Sequence, residues 1–176
     1  NDDAVMETQD WDAEIMKRDS EFKLLAFRTH NLHPYSIFPI VPRMWLELLG
    51  YLSPHQISDA WLSQQAFMLD IMERIPVDVL HDRHDLTGNN DDETFQNRPM
   101  LEGNPADPDD FHSVKQSKIR HEDAAKIAMY LEKERGQSMK FFADIFRSTQ
   151  DPWERLKEFD VNKQMVQFEN PHKHFQ

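Results

Sequence analysis

Asp2 and Asp3 stand side by side just ahead of a short apolar run, Ala4, Val5 and Met6. Adjacent carboxylates at a strand end are hard oxygen donors, suited to Mg2+ or Mn2+ ions that also hold phosphate oxygens. Alone, the pair reads as the solvated acidic end of a chain. A second cluster, His81, Asp82, Arg83, His84 and Asp85, follows an apolar stretch. A neutral imidazole can complete a carboxylate metal site and suits Mn2+ better than Mg2+, and Arg83 offers a fork for a phosphate. The same cluster also reads as a polar loop. Asp59 lies where a long helix should begin. It is either a helix cap or a carboxylate base that takes a proton from an acceptor hydroxyl, kept ionised by the helix N-terminus. Trp11, between Asp10 and Asp12, is placed to stack on a sugar ring, whereas Tyr35, Trp45 and Trp61 read as core. His33, in the polar loop before Pro34, joins Trp11 and Arg83 as a substrate-binding candidate.

The elements that must position these residues follow from the pattern. Residues 4–8 suit a strand end. Asp10 or Asp12 can cap a helix over 13–18. Residues 22–28 form a strand candidate, and 35–41 an edge or irregular strand because Pro39 and Pro42 interrupt it. A short helix over 43–49 has Pro42 at its start and Gly50 just past its end. Apolar residues at Trp61, Leu62, Phe67, Met68, Ile71, Met72 and Ile75 predict a helix over 60–75, capped by Ser58 or Asp59 and ended by Pro76. A short buried strand over 77–80 then delivers His81.

Residues 88–110 are rich in Asn, Asp, Pro and Gly and read as a long loop, with an active-site flap as one role. Beyond them the chain turns helical, over 111–135, 139–147 and 151–159, and ends in a loose tail. The fold expected is α+β, few strands with flanking helices, followed by a mostly helical region. The units expected are 1–98 for the site, 99–110 as linker and 111–176 as helical extension.

The formal net charge of −12 disfavours non-specific binding to nucleic acid or to an anionic membrane, since both need clustered Lys and Arg. No stretch reaches the roughly 20 apolar residues of a membrane span. The chain has no cysteine, hence no disulfide or thiolate site, and a cytoplasmic or intracellular viral setting is the expectation. Twelve Phe and four Trp argue for a packed core despite a mean hydropathy of −0.77. The first residue is not Met and the acidic pair opens the chain, so the visible start is expected to cut through something larger.

The order of these pieces carries a resemblance. Asp2, Asp3 and the run to Thr8, then Asp10, Trp11 and Asp12, resemble the metal-motif segment of GT-A-fold glycosyltransferases related to the family-two-like enzymes, with Asn1 where a further acidic residue often stands. Pro42, Arg43, Trp45, Leu49, Gly50 and Tyr51 resemble that family's acceptor-side segment, the most specific match in the chain. Ser58, Asp59, Ala60 and Trp61 resemble its acidic motif before a helix, residues 77–84 its following strand with a terminal histidine, and residues 91–95 its acidic-aromatic segment. The resemblance covers about the first half of the chain. It implies that Asp2 and Asp3, with His84 or His81, hold Mn2+ or Mg2+ on the diphosphate of a nucleotide-sugar donor, and that Asp59 is the base of an inverting transfer to a hydroxyl acceptor. The family's nucleotide-binding strand–helix units have no counterpart here, so a further N-terminal segment or another protein chain is expected to supply them. Two other readings use the same residues: a non-catalytic acidic helical module that binds another protein, and a metal-dependent nuclease using Asp2, Asp59 and His84.

Overall fold

The structure is a computed structural model that describes residues 4–29, 35–82 and 107–137. Among these, three strands and four helices make an α+β fold. In chain order they are β1 (Ala4–Met6), α1 (Trp11–Met16), β2 (Leu24–Thr29), α2 (Arg43–Leu49), α3 (Ser58–Leu69), β3 (Met72–His81) and α4 (Val114–Arg135).

The sheet has the order β1-β3-β2 and is mixed. β3 pairs antiparallel with β1, Ala4 opposite His81 and Met6 opposite Val79. It pairs parallel with β2, from Leu24 opposite Met72 to Thr29 opposite Val79. Both faces are covered, which is why β2 reads as a nearly continuous apolar run rather than an alternation. On one face Leu25, Phe27, Ile75, Val77 and Val79 pack with Ile15 of α1 and with Phe38 and Ile40. On the other, Leu24 and Ala26 pack against α2, α3 and α4.

The helix expected over 60–75 is instead a shorter helix and a strand. The chain reverses at Asp70, whose φ of 53° is left-handed. There the Asp70 and Ile71 amides donate to Phe67 and Ala66 carbonyls, closing the helix. Met72, the first residue of β3, starts the ladder. The strand expected over 77–80 is the second half of β3. Pro76 does not end a helix but lies within a strand. It is exposed and falls where the pairing with β2 shifts, between Ala26–Arg74 and Arg28–Asp78, which is where a residue without an N–H is tolerated. Neither Ser58 nor Asp59 caps α3. Both lie inside it, after an Ile57 N-cap that offers no side-chain bond. Asp10 occupies the N-cap of α1 without a side-chain bond, in left-handed geometry. The strand expected over 35–41 reduces to a single bridge, Leu25 with Ile40.

The short helix α2 forms as expected over Arg43–Leu49, with Gly50 at φ +81° donating its N–H to Leu46 at 2.8 Å. α4 starts at Ser113, whose hydroxyl accepts the Gln116 amide, and ends at Gly136 with φ 62°. Its Ala124, Ile127, Ala128 and Leu131 enter the core built by Phe22, Leu24, Trp45 and Leu62, so this helix completes the first unit's core. Arg135 at its far end also donates to the Ser20 carbonyl at 2.7 Å. The helices expected over 139–147 and 151–159 lie outside the described residues.

Candidate functional site

Of the candidate residues, His81 ends β3. The Ala4–His81 register puts the start of β1 beside the histidine that ends β3. The pairing is extended past β1 by the Glu7 amide on the Asp78 carbonyl at 3.0 Å and by the Asp78 amide on Thr8 Oγ1 at 2.7 Å. Asp2 and Asp3 are attached directly ahead of Ala4, and Arg83 and His84 follow Asp82. All four, with His33 and the 91–95 segment, lie outside the described residues.

The segment before α2 links this end of the sheet to α3. The Ser36 amide donates to Ser63 Oγ in α3 at 2.9 Å, and the Phe38 ring meets the His81 imidazole edge-on at 5.1 Å. An extended chain advances at most about 3.5 Å per residue. The segment thus runs from the middle of α3 to the end of β3, with two residue steps between its two contacts. His81 is buried, with 6% of its surface exposed. Asp59 is half-buried in the first turn of α3, where orphan backbone amides and the helix dipole favour a carboxylate anion.

The loop that enters α3 is restrained step by step. Ser53 Oγ bonds with both the amide and the carbonyl of His55, and His55 Nδ1 accepts the Ile57 amide at 3.1 Å. The His55 ring lies parallel to Trp61 at 6.5 Å and edge-on to Phe111 at 5.5 Å. Beneath these rings the Arg120 guanidinium is fully buried, 4.3 Å from the Phe111 centroid and 5.2 Å from that of Trp61, and it donates to the Phe111 carbonyl at 2.7 Å. Cation–π attraction of this desolvated kind is worth about 2 kcal/mol.

A second buried polar chain joins α2, α3 and α4. Trp45 Nε1 donates to Gln65 Oε1 at 3.3 Å, and Gln65 Nε2 donates to Asp123 Oδ2 at 3.3 Å. The same Asp123 oxygen accepts the Tyr51 hydroxyl at 2.7 Å, and Lys126 donates to Oδ1 at 3.2 Å. Burial, and then the Asp123 carboxylate, push the Tyr51 hydroxyl up to about 12. The Trp45 and Tyr51 of the most specific sequence match are thus packing and latching residues, and Gly50 is the left-handed helix end between them.

Trp11, at the first position of α1, remains partly exposed at 38%, as a stacking residue requires. Trp45 and Trp61 are core, as their pattern suggested. Among the described residues no group of three or more His, Asp and Glu comes together as a metal site. No described helix is long and apolar enough to cross a membrane.

Sequence reading missed His55, Arg120 and Asp123. For the last two a signal was present: they fall on the stripe of α4 that also carries Ala124, Ile127 and Leu131, and a charge on an apolar stripe marks a buried polar partner. His55 had no such signal, since its role depends on rings distant in sequence. No family model, curated protein or solved structure matches the chain.

Proposed function

We propose that this chain is the acceptor-side part of a metal-dependent glycosyltransferase, which moves a sugar from a nucleotide-sugar donor to a hydroxyl acceptor, in an intracellular setting. The observation that supports it is that the segment carrying Ser36 and Phe38 touches Ser63 of α3 at one residue and, two residues on, His81, which pairs with Ala4 at the start of β1. Asp59 is the base in this reading. Its carboxylate, in the first turn of α3, takes the acceptor's proton as the hydroxyl attacks.

Asp2, Asp3 and His84 bring two carboxylates and an imidazole, a donor set that suits Mn2+ and accepts Mg2+. Held by these residues, such an ion would supply positive charge to offset the charge on the departing nucleoside diphosphate. His81, packed against Phe38, fits as a wall of that site better than as an open ligand. Trp11, with its exposed ring, and His33 and Arg83 remain the substrate-binding residues of the proposal. The base of the nucleotide is held by a further segment or a second protein chain.

Thermal unfolding of the chain with Mn2+, alone and with uridine or guanosine diphosphate, tests the reading. A ligand at a hundred times its Kd adds about 2.7 kcal/mol, or roughly 5–10 °C for a domain of this size. Asp59→Asn should keep that shift and lose transfer. No shift with Mn2+ alone refutes the proposal, because the residues proposed to hold the ion all belong to this chain.

A further inference from the structure

We propose that Asp123, on α4, is a positioning residue for Asp59: its carboxylate ties the loop that enters α3 to the middle of α3, and so fixes the first turn where Asp59 sits. The inference rests on reading Asp59 as the base.

Tyr51 precedes Asp59 in the chain and Gln65 follows it, and both donate to one oxygen of Asp123, at 2.7 Å and 3.3 Å. Asp59 thus lies on a stretch of chain pinned at both ends to one carboxylate of another helix. Between the pins the slack is removed by the Ser53–His55 and His55–Ile57 bonds and by the His55 ring lying over Trp61. The far side of Gln65 is held in turn by Trp45, so α2 is drawn into the same unit.

Asp123 is 1% exposed, and taking an ionised carboxylate out of water costs several kcal/mol unless donors surround it. An apolar residue would fill the stripe of α4 beside Ala124 and Ile127 at no such cost. What the carboxylate supplies and an apolar side chain does not is direction: three donors from three parts of the chain must point at it at once. A carboxylate base needs placement to a fraction of an ångström against its acceptor hydroxyl, and this latch is the described contact that bears on both sides of Asp59.

The test uses the full chain with Asp123→Asn, which keeps the shape and removes the charge, and Tyr51→Phe, which removes one hydroxyl. Amide hydrogen exchange read by mass spectrometry should rise at least tenfold over residues 51–61 in each variant, with residues 24–27 of β2 unchanged. The double variant should exchange no faster than Asp123→Asn alone, because that variant already disturbs the Tyr51 bond. In a transfer assay Asp123→Asn should lower kcat with the donor KM unchanged. Exchange that rises evenly across the chain, or not at all over 51–61, overturns the inference, as does a fall in kcat matched by an equal rise in KM. If Asp123→Asn does not fold, Tyr51→Phe alone decides by the same exchange pattern. If Asp59→Asn retains transfer, the base assignment fails by itself, and the exchange result still decides whether the latch exists.

Discussion

Trp45→Ala separates a packing residue from a sugar-binding one. Trp45 is fully buried, its ring stacks on Phe22 at 5.7 Å with an 8° interplanar angle, and its Nε1 donates to a buried Gln65 carbonyl at 3.3 Å. Truncating a buried Trp to Ala costs about 3–5 kcal/mol through lost transfer energy and the cavity left behind. The lost ring stacking carries about 0.5–1.5 kcal/mol, and the stranded Gln65 oxygen adds about 1 kcal/mol. These overlap, so about 4–6 kcal/mol is expected, against a total of roughly 5–15 kcal/mol for a native domain. Urea unfolding with an m-value near 2 kcal/mol/M would then shift its midpoint down by about 2–3 M. Trp45→Phe keeps the stack and loses only the N–H and some volume, so about 2 kcal/mol is expected. Trp11→Ala, at an exposed position, should stay within about 0.5 kcal/mol. A loss below about 2 kcal/mol for Trp45→Ala at unchanged m, or equal losses for Ala and Phe, would refute the reasoning.

Other outcomes follow from the charges and the backbone. Burial pushes the Glu73 carboxyl up, but hydrogen bonds from Lys23 and Arg18, with their charges, outweigh it and leave it below its ordinary value of 4.5. Its stabilisation is therefore present above pH 4.5 and is lost as pH falls below that, so Glu73→Gln should flatten the acid limb of a urea-midpoint profile; an unchanged limb would count against it. Tyr51 titrates the other way. Its raised value means stability is whole below pH 10.0 and declines as pH rises from there towards 12, a loss that Tyr51→Phe should abolish. Gly50→Ala meets no atom within 4 Å of the new Cβ, so only the left-handed backbone resists it, at about 1–2 kcal/mol in urea unfolding. A neutral result there would show that the helix end can relax.

Local chemistry was the legible part of this fold. Pro42 and Gly50 bracket α2 because each acts through its own backbone, and both ends fell where the sequence placed them. β2 was readable because an apolar run of that length and composition suits a strand covered on both sides. The stretch from Ala60 to Ile75 misled because α3 is buried nearly all round: nine of its twelve residues are buried, among them Ser63, Gln64 and Gln65. A helix with no solvent face gives no stripe edge, so its apolar pattern runs without a break into that of β3. What ends it is the left-handed turn at Asp70, a conformation that Asp tolerates but that its presence alone does not announce. Of the candidate site, Asp59 and His81 could be named from the sequence by type and position, whereas the segment with Ser36 and Phe38, which touches α3 and the end of β3, could not, because such contacts are a property of three-dimensional proximity.

The polar seam between α3 and α4 gives a structural reason for the spacing of Trp45, Gly50 and Tyr51. Ser63, Gln64, Gln65, Arg120 and Asp123 are all buried in or beside a core that could have been sealed with aliphatic side chains. An aliphatic seam would tolerate sliding or rotation of one helix against the other, since dispersion is non-directional. A seam in which Gln65 donates to Asp123 while accepting from Trp45 allows one register only, because any slip leaves a buried charge or amide unsatisfied at about 1–3 kcal/mol per group. Trp61 ties into the same register by way of Arg120. The spacing of Trp45, Gly50 and Tyr51 is then set by geometry: a buried ring that reaches Gln65, a left-handed helix end, and a hydroxyl that reaches Asp123. Residues so spaced are explained by packing and hydrogen bonding within this core alone, and the same bonds reach both sides of the turn that carries Asp59.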